Sequence, residues 1–454
     1  MSATTNRPRS PSRQAAQGAM VIMSLAIVAK LIAFAKELAL ARQFGVGPET
    51  DAYVLGFTWA TWLPGIFISV AMATLIPIGR KLQHSSAAQG GRFLDEFAGL
   101  TLLLGAAIGL LTLALPDLFA RFDIGSVASR RELGQTLPIM AALVPAAFIA
   151  GYCTTRLVDA QRHVNVLIEA LPPLVIVAYL TIATRPTLTG LSIATTAGYV
   201  AYAIVAALLM RAGGQALRPR FGLRSQGWQE LARASVIVIV GNVCAGSLMV
   251  ADQFQASALG EGSVAILSFA TRLLMLPATL ASMAIARSLL PIFSDLAARQ
   301  DSEALLRLAH RLAAAVFAIG SIGAALIWLL APWLVEIAFE RGSFTASDTA
   351  ETAAALRWGV FQLPGFAAAM VLVQALLSQR RYAVVAASGI FNLLAKLVLN
   401  ALLAPVFGVP GITLATAVVL WASFLFLLTW LNRTARAGRL PPDVDRPVER
   451  SPNR

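Results

Sequence analysis

The chain has 454 residues but only two cysteines, three histidines and four lysines, and each scarcity excludes a class of function. Cys153 and Cys244 both sit inside long apolar runs, so neither a disulfide framework nor a cysteine-rich metal site is expected. His84, His163 and His310 fall in short polar stretches between apolar runs, where histidine reads as a solvated surface residue. Zinc, di-histidine and redox chemistry therefore have no ligands to work with. Charge is also sparse: 13% of residues are Asp, Glu, Lys or Arg, roughly half the usual soluble share, against 57% hydrophobic residues. Catalytic motifs are missing as well, since no phosphate-binding P-loop, H-E-x-x-H or G-x-S-x-G occurs. Gly45-Val46-Gly47 begins like a dinucleotide fingerprint, but no strand precedes it and the third glycine is absent. Neither an enzyme nor a bound cofactor is expected, and catalytic and metal-ligating residues are assigned to none.

What is present is length in apolar runs. A hydrocarbon core about 30 Å thick needs about 20 apolar residues per helix, and twelve runs qualify: 20–43, 52–79, 93–116, 133–158, 166–184, 191–211, 232–258, 264–296, 310–331, 349–378, 383–404 and 411–432. The expected fold is an all-α, polytopic membrane protein of about twelve transmembrane helices. No connection is long enough to bury a soluble core of its own. The segment before the first run resembles a signal-peptide n-region, but the run is too long for an h-region and carries Lys30 and Lys36, so it stays as the first helix.

The net charge of +13 would suggest nucleic acid in a soluble protein. Here the basic residues collect in alternate loops and tails, which reads as membrane orientation and not as a nucleic-acid surface. With the N-terminus inside, twenty-four Lys and Arg fall on the cytoplasmic side and six, Arg42, Arg121, Arg130, Arg131, Arg185 and Arg341, on the other. That bias places both termini in the cytoplasm.

The chain also repeats itself at an offset near 215 residues. Phe44-Gly45-Val46-Gly47, Leu63-Pro64 and the run from Ala71 to Pro77 echo Leu259-Gly260-Glu261-Gly262, Leu276-Pro277 and the run from Ala284 to Pro291; Ala160-Gln161-Arg162 echoes Ser378-Gln379-Arg380. Six helices is an even number, so the halves share one orientation and pack as two lobes about a central cavity. The expected organisation is a cytoplasmic tail at 1–19, an N-lobe at 20–211, a cytoplasmic linker at 212–231, a C-lobe at 232–432 and a basic cytoplasmic tail at 433–454.

Six basic residues lie within spans: Lys30, Lys36, Arg272, Arg287, Arg357 and Lys396. Each costs about 2.5–3.5 kcal/mol at a helix centre, so such residues face a bundle interior or an aqueous cavity. Lys30 and Glu37, seven apart, share a face, while Lys36 points about 120° around the axis. Two readings stand open. The charges form buried salt bridges, Lys36 with Glu37 and Arg272 with Asp252 or Asp51, or they line a cationic cavity for an anionic headgroup such as pyrophosphate, which Arg grips bidentately and Lys meets as a point charge.

The stretch from Phe339-Glu340-Arg341-Gly342-Ser343-Phe344 to Thr345-Ala346-Ser347-Asp348-Thr349 resembles a signature of the MurJ/MviN lipid II flippases of the MOP superfamily. Ala41-Arg42-Gln43-Phe44-Gly45-Val46-Gly47 with Asp51-Ala52-Tyr53, and Arg272-Leu273 with Pro277 and Leu289-Leu290-Pro291, are similar to other parts of that family. The resemblance covers roughly residues 20–433. It implies two six-helix lobes around a cavity and transfer of a polyprenyl-pyrophosphate-linked saccharide from the cytoplasmic to the periplasmic leaflet of the bacterial inner membrane. It also implies that Lys30, Lys36 and Arg272 contact the pyrophosphate, with Asp51 and Glu37 as gating or pairing partners. Implied partners are that lipid-linked saccharide, membrane lipids and the enzymes of cell-envelope glycan synthesis. The sequence departs from the family where Pro64-Gly65 stands in place of paired arginines, at Arg380-Arg381-Tyr382, at Arg287, and in ending without two further C-terminal helices. These departures point to a divergent member. An exopolysaccharide repeat-unit flippase and a MATE-type cation or drug antiporter are the alternative functions.

Overall fold

The computed structural model describes residues 11–162 and 165–436, and within them every regular element is a helix. The first half of the chain supplies α1 (Pro11–Phe44), α2 (Pro48–Ser85), α3 (Ala87–Leu113), α4 (Leu115–Arg121), α5 (Val127–Ala141), α6 (Leu143–Asp159), α7 (Asn165–Ile168), α8 (Leu171–Ile182) and α9 (Leu188–Ala212). The second supplies α10 (Gly227–Ser257), α11 (Ser263–Ala298), α12 (Ser302–Phe339), α13 (Ala346–Gly359), α14 (Gln362–Ser378), α15 (Tyr382–Phe407) and α16 (Val409–Arg436).

Sixteen helices arise from twelve expected spans because proline divides some of them. Proline has no N–H to give the carbonyl four residues earlier and its ring crowds that carbonyl. Pro116, Pro145, Pro172 and Pro364 each stand four residues beyond Thr112, Ala141, Ile168 and Val360, at or beside the ends of α3, α5, α7 and α13. The α5–α6 pair bends by 42° at its break. Nine spans among the described residues are long and apolar enough to cross a bilayer, and eleven when the bent pairs α5–α6 and the two parts of α10 are each taken as one. Helix α1, 34 residues long, holds the first expected run, 20–43, and is not among those eleven. It begins at Pro11, so part of the segment expected as a tail is helical. Residues 1–10, His163 and the arginines beyond Arg436 lie outside the described residues.

The internal repeat survives in three dimensions. Helices α2 and α11 are 38 and 36 residues long, and each carries two internal prolines at matching positions, Pro64 and Pro77 against Pro277 and Pro291. One buried cluster lies mainly in the first half, around Leu75, Phe97 and Tyr152, with Leu231 from the start of α10, and another lies in the second, around Phe293, Leu372 and Leu427. A third draws on both, joining Leu40, Tyr53 and Leu137 to Phe269, Phe339 and Leu356.

That shared core sits at the end of the bundle holding the α1–α2 turn, and polar contacts close the same end. The Ser343 N–H donates to the Arg42 carbonyl at 2.9 Å, and the Ser343 hydroxyl donates to the Gln43 carbonyl at 3.0 Å. Gly342 has φ +67°, where glycine alone is unstrained, and a Cβ there would lie 2.2 Å from the Arg42 carbonyl oxygen. Phe339, Phe344 and Phe269 pack mutually in tilted and edge-to-face arrangements with centroids 5.0–5.7 Å apart, and Phe34 of α1 reaches Phe339 at 6.3 Å. At the opposite end the start of α10 is held to the first half. Glu96 accepts from the Ser225 N–H and hydroxyl and from the Trp228 ring N–H, while Lys81 pairs with Glu230 at 2.9 Å.

Candidate functional site

Below the closed end, α1 and α11 bring three charges together. Lys36 Nζ lies 2.9 Å from Glu37 Oε1, and Arg272 Nε lies 3.0 Å from the same oxygen. Lys36 also stands over the Phe57 ring at 4.8 Å. Lys36 is 6% and Glu37 4% exposed, whereas the Arg272 side chain keeps 32% of its surface open. At 1.5 Å per residue, Lys36 lies about 12 Å from the Phe44 end of α1 and Arg272 about 14 Å from the start of α11. Both helices therefore deliver their charge to one layer. Two cations against one carboxylate leave a net +1 there, and the more open of the cations is Arg272.

Lys30 stands in a different compartment. It lines a cavity of about 450 Å³ between α1 and α11, together with Thr279, Arg287 and Ser288 and apolar residues that include Leu31 and Leu276. No acidic residue is in this lining, and neither Lys30 nor Arg287 has an ion pair among the described residues. Lys30 lies about 21 Å from the closed end of α1, deeper than the Lys36 layer. Glu169, in the break between α7 and α8, is close enough for Lys30 to act on it electrostatically.

Asp51, expected as a gating or pairing partner of these charges, has both oxygens engaged elsewhere. Its Oδ2 accepts the Gly262 N–H at 2.7 Å and its Oδ1 the Ala265 N–H at 2.8 Å, so it caps the N-terminus of α11 from across the halves. The carboxylate is 2% exposed, and the capped helix end carries partial positive charge that favours it. Arg272 thus pairs with Glu37, not with Asp51 or Asp252. Asp252 instead meets Lys396 at 2.9 Å and the Asn400 amide at 2.8 Å, and the Lys396 ammonium also donates to the Ile412 carbonyl.

Of the five expected site residues, Lys36, Glu37 and Arg272 form one cluster, Lys30 faces the cavity beneath it, and Asp51 locks the end above it. Arg287 was not singled out for the site, yet it shares the cavity with Lys30; its sequence signal was a basic residue within a span. Glu169 was missed too, and its signal was an acidic residue just before Pro172-Pro173 in an apolar run.

The family described as lipid II flippase MurJ matches residues 40–441 of this chain. A probable lipid II flippase MurJ from Rhizobium tropici is 25% identical over 437 residues, covering 89% of this chain and 78% of that protein. Among solved structures, a lipid II flippase MurJ in an inward closed conformation superposes with a TM-score of 0.80 at 17% identity, covering 91% of this chain and 87% of the other. An inward-facing multidrug resistance MATE family transporter of the MOP superfamily reaches a TM-score of 0.69 at 15% identity, covering 92% and 98%.

Proposed function

The chain belongs to the lipid II flippase MurJ family, and from that premise we propose that it moves a polyprenyl-pyrophosphate-linked saccharide, lipid II or a related cell-envelope precursor, across the bacterial inner membrane by alternating access. It is a multi-pass transporter, not an enzyme. With both termini in the cytoplasm, as the Lys and Arg bias favours, the closed end faces the periplasm and the Lys30 cavity lies toward the cytoplasm. The pyrophosphate enters between Lys30 and Arg287, and its next partner is Arg272, whose guanidinium keeps N–H donors beyond the Nε already given to Glu37. An incoming anion competes with Glu37 for Arg272. Loosening that pair weakens the layer holding α1 to α11, which couples headgroup binding to separation of the halves. The enzymes that build the precursor are its candidate neighbours in the membrane.

The observation that carries this reading is a cavity whose charged lining is Lys30 and Arg287 alone. Such a lining repels the cations an antiporter of the MATE type would carry. Lys30→Ala and Arg287→Ala should each cut flipping of a polyprenyl-pyrophosphate saccharide in reconstituted vesicles at least tenfold. Thermal stability should change little, because neither side chain has an ion pair to lose. Undiminished flipping by the Lys30→Ala/Arg287→Ala double variant would overturn the proposal.

A further inference from the structure

A second basic cavity, of about 380 Å³, opens at the closed end between α1, α8 and α12. Its charged residues are Arg42, near the end of α1, and Arg341, just beyond α12, and both are exposed. The rest is mostly apolar wall, including Ala39, Val177, Leu180 and Phe339. Neither guanidinium meets a carboxylate among the described residues. The neighbouring acid, Glu340, accepts instead from the Thr349 hydroxyl at 2.6 Å. Arg341 gives one N–H to the Ile337 carbonyl at 3.0 Å and keeps the remainder of its five donors.

The two arginines come from opposite halves and are brought together by the closure itself. Ser343 bonds to the Arg42 carbonyl, and Gly342 packs against the Arg42 backbone and side-chain stem. Gln43 donates to the Leu180 carbonyl at 3.0 Å and so draws α8 in as the third wall. A pair of forked cations at the end of two membrane helices, above an apolar wall running down between them, matches a phosphate ester carrying hydrocarbon tails.

We propose that Arg42 and Arg341 form a binding site for the phosphate group of a lipid in the leaflet at this end, assembled only while the two halves are closed on each other. Binding to one state alone shifts the population toward that state, so the lipid stabilises closure. Separation of the halves parts the arginines and releases it. This stands independently of what the Lys30 cavity carries. Two lipids share the required chemistry: a bulk anionic phospholipid such as phosphatidylglycerol, and a prenyl pyrophosphate.

The test is native mass spectrometry of the full chain titrated with phosphatidylglycerol and, separately, phosphatidylcholine. One tight phosphatidylglycerol site is expected in the wild type and about a tenfold loss of affinity for it in Arg42→Gln or Arg341→Gln. Arg185→Gln, an exposed arginine outside the cavity, should change nothing. Arg42→Lys and Arg341→Lys keep the charge but not the fork, and a smaller loss in them supports the site even where a glutamine variant does not purify. Displacement of phosphatidylglycerol by farnesyl pyrophosphate identifies the transported type of lipid as a ligand; failure to displace it identifies the bulk phospholipid. Equal binding of the two phospholipids, or affinity for phosphatidylglycerol undiminished in both glutamine variants, would overturn the proposal.

Discussion

Asp51→Asn offers the sharpest test of how the closed end is held. The carboxylate accepts two backbone N–H groups across the halves, at 2.7 and 2.8 Å, from a position 2% exposed. Asparagine is nearly isosteric and keeps one acceptor oxygen, but its NH₂ then opposes the second N–H, donor against donor. The substitution also removes the negative charge from the start of α11. Hydrogen bonds to charged groups contribute about 1.5–3 kcal/mol, and a charge at a helix end adds roughly 0.3–1 kcal/mol. A loss near 2 kcal/mol multiplies the open-to-closed ratio by about 30, so an open population of roughly one per cent would rise to about a quarter. Spin labels on Glu49→Cys and Ser347→Cys report it, since Glu49 and Ser347 are exposed on opposite halves of the closed end. Cys153 and Cys244, both buried, are replaced by alanine in the labelled chain. Pulsed electron spin resonance in lipid vesicles should show the single short distance of the wild type joined by a longer one in Asp51→Asn. A distance distribution identical to that of wild type would refute the claim that this carboxylate latches the two halves.

Glu37→Gln strands Lys36 in a buried position with Arg272 beside it, and breaking such a pair costs about 3–5 kcal/mol. Thermal denaturation in detergent should show a clear loss that Glu37→Gln/Lys36→Met largely restores; a single variant as stable as wild type would count against the triad. Gly342→Val combines a β-branched residue at φ +67° with a Cβ 2.2 Å from the Arg42 carbonyl, a strain of about 1–3 kcal/mol before the clash is added. It should open the same spin-label distance, whereas Gly47→Ala, at an extended φ with nothing within 4 Å, should not. Reporter fusions after Leu82 and Arg436 should read cytoplasmic and those at Ser126 and Thr345 periplasmic, and a periplasmic reading at Arg436 would contradict the orientation used above.

The placing of the spans was legible because its cause is local. Apolar length gave the spans, but not the breaks beside Pro116, Pro145, Pro172 and Pro364, since Pro64, Pro77, Pro277 and Pro291 sit inside continuous helices and packing decides which proline interrupts one. The repeat was legible too, as paired prolines at matching positions of α2 and α11. The charged site was legible in part. That Lys36, Glu37 and Arg272 lie within spans follows from a window of residues, but Arg287 looked like an exception to a family pattern until α11 brought it against the same cavity as Lys30.

The sequence by itself determined that this chain crosses a membrane many times, that its halves run in the same sense, and that basic side chains must face something other than lipid. Those conclusions rest on periodicity, length and charge counts, which need no knowledge of neighbours. Only the tertiary structure decided who pairs with whom. Asp51 meets Gly262 from 211 residues away, and Ser343 meets Gln43 from 300. Arg272 chooses Glu37, leaving Asp252 to Lys396. An ion pair's partner is set by which helix faces pack together across the halves, and a buried carboxylate takes whichever donors that packing brings within about 3 Å. No local pattern encodes that choice, so the latch at Asp51 and the separation of the Lys30 cavity from the Lys36 layer became visible only in the folded chain.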